Sequence, residues 1–400
     1  MKKLFVLGLA ALLLVAFSVP AMADVKIGGI IFTDFYYLNR DKENMFNPQR
    51  GISSYSNTAI QLPNITRLYA RWTNEDNVGM YIEFGLGQGG GNLSGSLSDD
   101  GLSAVLRHGY GWWDVNPMFQ IMAGHSTSPF SPLNPSQLLG TRSGSSNVIG
   151  VGYGDYYAGR FVQVRGTFKF SPAVKLEIAL VDPNGIMAGA GDDFPTDYTA
   201  QNTLIPRIDI SLPLYLGPVH LYPGFLWQQR GVDNPSWNGR PADDNINTWI
   251  ATLGGKFGMG PFALSGEFNY GENWGNTRGL AGVSMPARIA SASVRQDNNF
   301  NNAETWSWWV DLSYKFGPVA PSLIFGMMNT DNTRGISGRD YDVTAESMMY
   351  GISVPITLAK GFTLRPELMW YDDGDLEITS QPSENLGKYS IFGVQFQITF

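Results

Sequence analysis

The segment Tyr389-Ser390-Ile391-Phe392-Gly393-Val394-Gln395-Phe396-Gln397-Ile398-Thr399-Phe400 alternates in polarity up to its last residue. Phe392, Val394, Phe396, Ile398 and Phe400 share one face; Gly393, Gln395, Gln397 and Thr399 share the other. A period of two is that of a strand with one apolar and one polar side. A closed barrel in lipid requires this pattern, because its outer face meets hydrocarbon while its inner face meets water. An edge strand of a secreted sheet is the other reading of the same segment.

The opposite end of the chain fits an exported protein. Lys2 and Lys3 precede an apolar run over 4–19, and Ala21-Met22-Ala23 forms a small-residue cleavage site. Cleavage after Ala23 is expected, leaving residues 24–400 as a single barrel. No later apolar run approaches the roughly 20 residues of a membrane helix, and the mean hydropathy is slightly negative. A barrel strand reconciles these facts, since only every second residue faces lipid. Cysteine is absent, which excludes disulfides, thiolate metal sites and covalent haem attachment. Without Lys2 and Lys3 the chain has 25 basic and 35 acidic residues, a poor balance for a nucleic-acid partner.

Amphipathic runs of about ten residues recur along the chain, near the length a tilted membrane strand needs. They cover 25–37, 65–73, 78–86, 104–115, 118–125, 156–170, 174–181 and 205–214. The rest cover 219–229, 247–257, 262–274, 305–316, 319–329, 346–357, 362–371 and 389–400. The total is about 16, an even number. Long and short connections alternate, and the short ones carry turn residues, as in Asn116-Pro117, Gly317-Pro318 and Ala359-Lys360-Gly361. The expected fold is therefore an all-β, up-and-down antiparallel transmembrane barrel with short periplasmic turns and long extracellular loops. Aromatics at strand ends (Phe35-Tyr36-Tyr37, Trp112-Trp113, Tyr156-Tyr157, Trp227, Trp274, Phe316, Trp370-Tyr371) are expected to form interfacial girdles. Pro206, Pro223, Pro321 and Pro366 each remove a ladder donor within an expected strand.

The terminal strand resembles the C-terminal signature of Gram-negative outer-membrane barrels, a likeness that implies recognition of Phe400 by the barrel-assembly machinery. The whole architecture resembles the 16-stranded general-diffusion porins. That resemblance implies a homotrimer in outer-membrane lipid and a third loop folded inward as a constriction. Residues 126–154 are the expected constriction loop, with Pro129, Phe130, Pro132 and Arg142 as its candidate residues. An outward surface loop is the alternative. Gly124 with Pro129-Phe130 is similar to the strand-to-loop junction of phosphate-selective porins. This loop departs from the family in having no acid before Asp155. Residues 87–101 correspond to the second loop, which latches onto a neighbour in trimeric porins; its Gly/Ser content argues against a rigid latch.

Alternation assigns charged residues to the lumen. Arg67, Arg71, Arg165, Lys169 and Arg207 form a basic arc from the first half of the chain. Glu267, Asp311 and Glu367 form a more acidic arc from the second, with Lys315 and Arg365 among them. Glu83, Lys175, Glu177 and Asp209 complete the set. Opposed charges across a narrow pore would orient polar solutes; solvation of the wall is the blander role.

His108, His125 and His220 lack ligand spacing, so no metal site is expected. Asp372-Asp373-Gly374-Asp375 with Glu377, and Asp331 with Asp342, lack the spacing of a calcium loop. Gly144-Ser145-Ser146-Asn147 has no positioned base beside its serines. The expected function is passive diffusion of small hydrophilic solutes and ions through a water-filled channel, with no reaction and no cofactor. The alternatives are a barrel sheath for an electron-transfer partner, a barrel enzyme, or a solute-specific channel.

Overall fold

The first strand, β1 (Asp24–Arg40), hydrogen-bonds to the second strand on one side and to the last on the other. Ile30 to Arg40 run antiparallel to Thr399 to Tyr389, and Gly29 and Phe400 exchange two backbone hydrogen bonds of 3.2 Å. This pairing closes the sheet on itself and leaves no edge for lipid to meet. The computed structural model describes residues 24–45, 47–63, 65–88, 102–139, 150–183, 201–202, 205–237, 240–277, 284–294, 300–336 and 339–400. The leader, Arg142, the 144–147 stretch and most of the second loop lie outside these residues.

The barrel has 16 antiparallel strands. Strand β2 comprises Tyr55–Gln61 and Thr66–Thr73, and is followed by β3 (Val78–Gln88), β4 (Leu102–Asn116) and β5 (Phe119–Thr127). Next come β6 (Arg160–Ser171), β7 (Val174–Val181) and β8, built from Gln201–Asn202, Arg207–Ser211 and Leu214–Leu216. Two long strands, β9 (Val219–Trp237) and β10 (Arg240–Met259), lead to β11 (Phe262–Glu272), β12 (Glu304–Tyr314) and β13 (Ser322–Ile336). The barrel ends with β14 (Arg339–Ser353 and Ile356–Ala359), β15 (Phe362–Asp372 and Asp375–Ile378) and β16 (Glu384–Asn385 and Lys388–Thr399).

The expected strand number is therefore observed, with local differences. β2 starts ten residues before the expected 65, because its two halves pair separately with β1. At the break between them, Thr66 Oγ1 accepts from the Phe32 amide at 3.0 Å and donates to its carbonyl. β6 starts at Arg160 because residues 150–158 belong to the preceding loop. Four short turns place glycine at positive φ, at Gly217, Gly260, Gly317 and Gly361, a conformation that side chains with a Cβ resist.

The outer face is apolar and exposed: Phe35, Trp113, Val162, Phe268, Phe325, Trp370, Phe392 and Phe396 all project outward. The inner face is divided. On β9, β10, β13, β14 and β15 the inward residues Leu226, Ile250, Ile324, Met328, Met349 and Met369 are fully buried. They pack against Phe130, Leu133, Leu139, Val151, Tyr153 and Tyr156 from the β5–β6 connection. Each buried side chain of this kind contributes about 1.5–3 kcal/mol. Tyr156, Trp274 and Tyr371, expected in the girdles, are wholly buried within this inner packing instead. Alternation alone could not separate a ring facing lipid from one facing a covered wall.

Candidate functional site

The described part of the β5–β6 loop lies along the inner wall, held by side chains that point into the barrel. Ser128 Oγ donates to Asp209 on β8 at 2.5 Å. Ser131 Oγ donates to Glu267 on β11 at 2.6 Å. The amide of Ser136 donates to Asp311 on β12 at 2.8 Å. Glu367 on β15 accepts both the Leu138 amide at 3.0 Å and the Leu139 amide at 2.7 Å. Gln395 on β16 donates to the Leu138 carbonyl at 3.4 Å and to Asp34 on β1 at 2.8 Å. Four wall carboxyl groups thus satisfy loop donors that water would otherwise serve.

The returning half of the loop is fixed by close backbone approach. Gly154 has φ +126°, and a Cβ there would collide with the Trp308 carbonyl and crowd Gly326. A Cβ on Gly326 would in turn collide with the Tyr153 carbonyl. Tyr153 Oη donates to Asp373 at 2.5 Å, and Asp373 also accepts from Asn44 Nδ2 at 2.7 Å. Asp155 is fully buried, and its carboxyl oxygens have no hydrogen-bond partner among the described residues. Burial, and then the nearby Glu267 carboxylate, push its carboxyl well above the usual range. Above the loop, helix α1 (Met285–Ile289) starts at Ser284, whose Oγ donates to the Gly152 carbonyl at 2.7 Å.

These contacts change the reading of several expected pore residues. Glu267, Asp311 and Glu367 lie beneath the loop and do not face the basic arc across water. Arg207 is also enclosed: its guanidinium makes two bonds of 2.7 Å to Asp209 and lies 4.5 Å from the centre of the Phe161 ring. Arg365 donates to Gln395 at 2.8 Å and lies 3.9 Å from Glu367. Pro129 and Phe130 are buried in the loop's wall side, whereas Pro132 and Asn134 are exposed on its other side.

The opposite wall, β2 to β7, remains open. Among the described residues of these strands, leaving aside the turns, Arg67, Arg71, Arg107, Arg160, Arg165, Lys169 and Lys175 outnumber Glu83, Asp114 and Glu177, a net excess of four positive charges. Arg107 lies 2.7 Å and Arg67 3.7 Å from Glu83, Lys169 2.8 Å from Asp114, and Arg165 3.8 Å from Glu177. Arg71, Arg160 and Lys175 instead lie over the rings of Trp112, Tyr157 and Tyr215. Arg160 Nε is also 3.2 Å from His108 Nε2. The loop's described face toward this wall carries no charge.

Arg107 and Arg160 were not assigned to the lumen by alternation. Glu83 pairs with His108 and Phe84 with Leu106, so Arg107 is the extra residue of a bulge. A bulge re-aims one side chain against the period of two. Arg160 begins its strand where sequence periodicity placed no boundary. Among the described residues, no group of three or more His, Asp or Glu side chains is placed to hold a metal.

No protein-family model matches the chain, and no curated protein sequence matches it. Solved structures do. The outer membrane channel DcaP of Acinetobacter baumannii superposes with a TM-score of 0.65 at 17% identity, covering 96% of this chain and 99% of that one. The anion-selective porin from Comamonas acidovorans gives 0.55 at 15% identity, over 94% and 100% of the two chains. OprB of Pseudomonas putida gives 0.52 at 12% identity, over 93% and 94%. At these identities the likeness is one of fold: a 16-stranded barrel of the outer-membrane channel type.

Proposed function

We propose that the protein is an outer-membrane porin that lets small hydrophilic solutes and ions diffuse passively, with a preference for anions. The observation that carries this reading is a wall whose strands carry four excess positive charges, facing a loop surface that is uncharged among its described residues, inside a closed barrel. A solute in that gap meets guanidinium and ammonium groups with no carboxylate opposite them among the described loop residues, which favours anions. The structurally similar Comamonas protein is an anion-selective porin, which accords with this preference. The loop packed against β9 to β15 occupies part of the interior that a sheathed electron carrier would need.

The native assembly is read as a homotrimer, supported by the resemblance to trimeric porins. Export through the 1–23 leader and recognition of Phe400 by the barrel-assembly machinery complete the reading; the Phe400 side chain is exposed beside the closing seam. The test is single-channel conductance and reversal potential in a planar bilayer, for the full protein and for a protein lacking residues 131–148. Anion-directed reversal in the full protein and a larger conductance without the loop are expected. A purified, folded protein that does not conduct refutes the proposal.

A further inference from the structure

The basic wall contains a recess that simple passage does not require. Near the short-turn end, Arg71, Tyr81, Tyr110, Trp112 and Lys169 line a cavity of about 310 Å³. Its rings form a continuous curved surface. Tyr81 and Tyr110 are 5.6 Å apart at a tilt of 40°, and Tyr110 and Trp112 are 6.0 Å apart at 49°. The Arg71 guanidinium carbon is 4.9 Å from the centre of the Trp112 ring.

The charges in the recess do not cancel. Lys169 lies 2.8 Å from Asp114, whose same oxygen accepts from Gln120 at 3.0 Å, so that cation is compensated. Arg71 has no carboxylate within ion-pair distance among the described residues. The recess therefore combines an aromatic wall with one net positive charge. That volume lies at the small end of ligand pockets, which run from about 300 to 1,000 Å³.

We infer that this recess is a binding subsite for a single aromatic ring bearing one anionic group, an inference that rests on the channel reading above. The anionic group would meet Arg71, and the ring would lie against Tyr81, Tyr110 and Trp112 in the offset or edge-on contacts that aromatic pairs favour. A neutral sugar of this size would leave the Arg71 charge unanswered. A dianion would bring one negative charge more than the recess neutralises.

Benzoate and cyclohexanecarboxylate separate the two components, because they share charge and approximate size and differ in aromaticity. In a planar bilayer, benzoate is expected to halve the chloride current at about a fivefold lower concentration than cyclohexanecarboxylate. Tyr110→Leu should abolish that ratio while leaving charge-driven block. Arg71→Gln should weaken block by both compounds about tenfold. Equal block by the two compounds in the wild-type protein overturns the subsite, and needs no variant to fold. So does a benzoate preference that survives Tyr110→Leu, or block by either compound that is undiminished by Arg71→Gln, in barrels whose closure is verified by heat-shifted gel migration. A wild-type protein that does not conduct would fail the channel reading itself; one that conducts without the preference fails only the subsite.

Discussion

Glu367 Oε2 accepts the backbone amide of Leu139 at 2.7 Å, joining a late strand to an early loop across 228 residues of sequence. The same carboxylate accepts from Leu138 and from Ser353 Oγ, so its lone pairs are occupied by one loop and one neighbouring strand. Loop position is thereby set by a group that the loop does not itself carry.

Glu367→Ala would leave two loop amides without an acceptor, at about 1–3 kcal/mol each. The expected result is a barrel that still closes but has a larger and noisier single-channel conductance. A conductance trace unchanged in amplitude and noise would show that the Glu367 bonds do not hold the loop.

Phe130 is fully buried between Tyr156 and the inner wall, its ring centre 5.7 Å from that of Tyr156. Phe130→Ala should cost about 3–5 kcal/mol of loop docking. Limited proteolysis of the protein in detergent is the readout, with cleavage between residues 126 and 154 expected to accelerate strongly. Equal cleavage rates in variant and wild type would contradict the packing role.

Arg67 and Arg71 face the passage from β2, and together they supply half of the four excess positive charges. Replacing both with Ser should move the reversal potential in a salt gradient toward cations. An unmoved reversal potential would remove these two residues from the selectivity assignment.

Asp155 gives the loop a pH dependence with a definite sign. Its carboxyl titrates well above the usual range when the loop is seated, and near 4 when the chain is unfolded. Between those values the seated form holds more protons, so docking weakens as pH rises from about 4 toward the raised value. Proteolysis of the loop should therefore be faster at pH 8 than at pH 5, and Asp155→Asn should reduce the difference. A slope of the opposite sign would refute the assignment.

Closure, strand number and exposure to lipid were legible because each follows from a period of two and from turn residues at regular intervals. The loop seat was less legible, since alternation assigns a residue to a face without saying whether that face is wet. A signal was nonetheless present. Ile324 points inward between outward Leu323 and Phe325, and Met349 inward between Met348 and Tyr350. Strands apolar on both faces inside a barrel require a dry cover, and the Pro-rich segment from Ser128 to Pro135 is that cover. Arg107 could not be read this way, because its inward aim depends on a bulge that no residue type announces.

The carboxylates under the loop also act on assembly. Glu367 faces inward only while β15 keeps its register, with Glu367 opposite Gly393 and Pro366 opposite Val394. A one-residue slip would turn Glu367 toward lipid and place Pro366, which accepts no loop amide through its side chain, in the seat. The same holds for Glu267 on β11, Asp311 on β12 and Asp209 on β8. A loop made early in the chain thus tests the alignment of strands made much later, and settles only on a wall whose four partners all point inward. Docking and strand register are thus linked, and a misregistered barrel is expected to leave its loop unseated and open to protease.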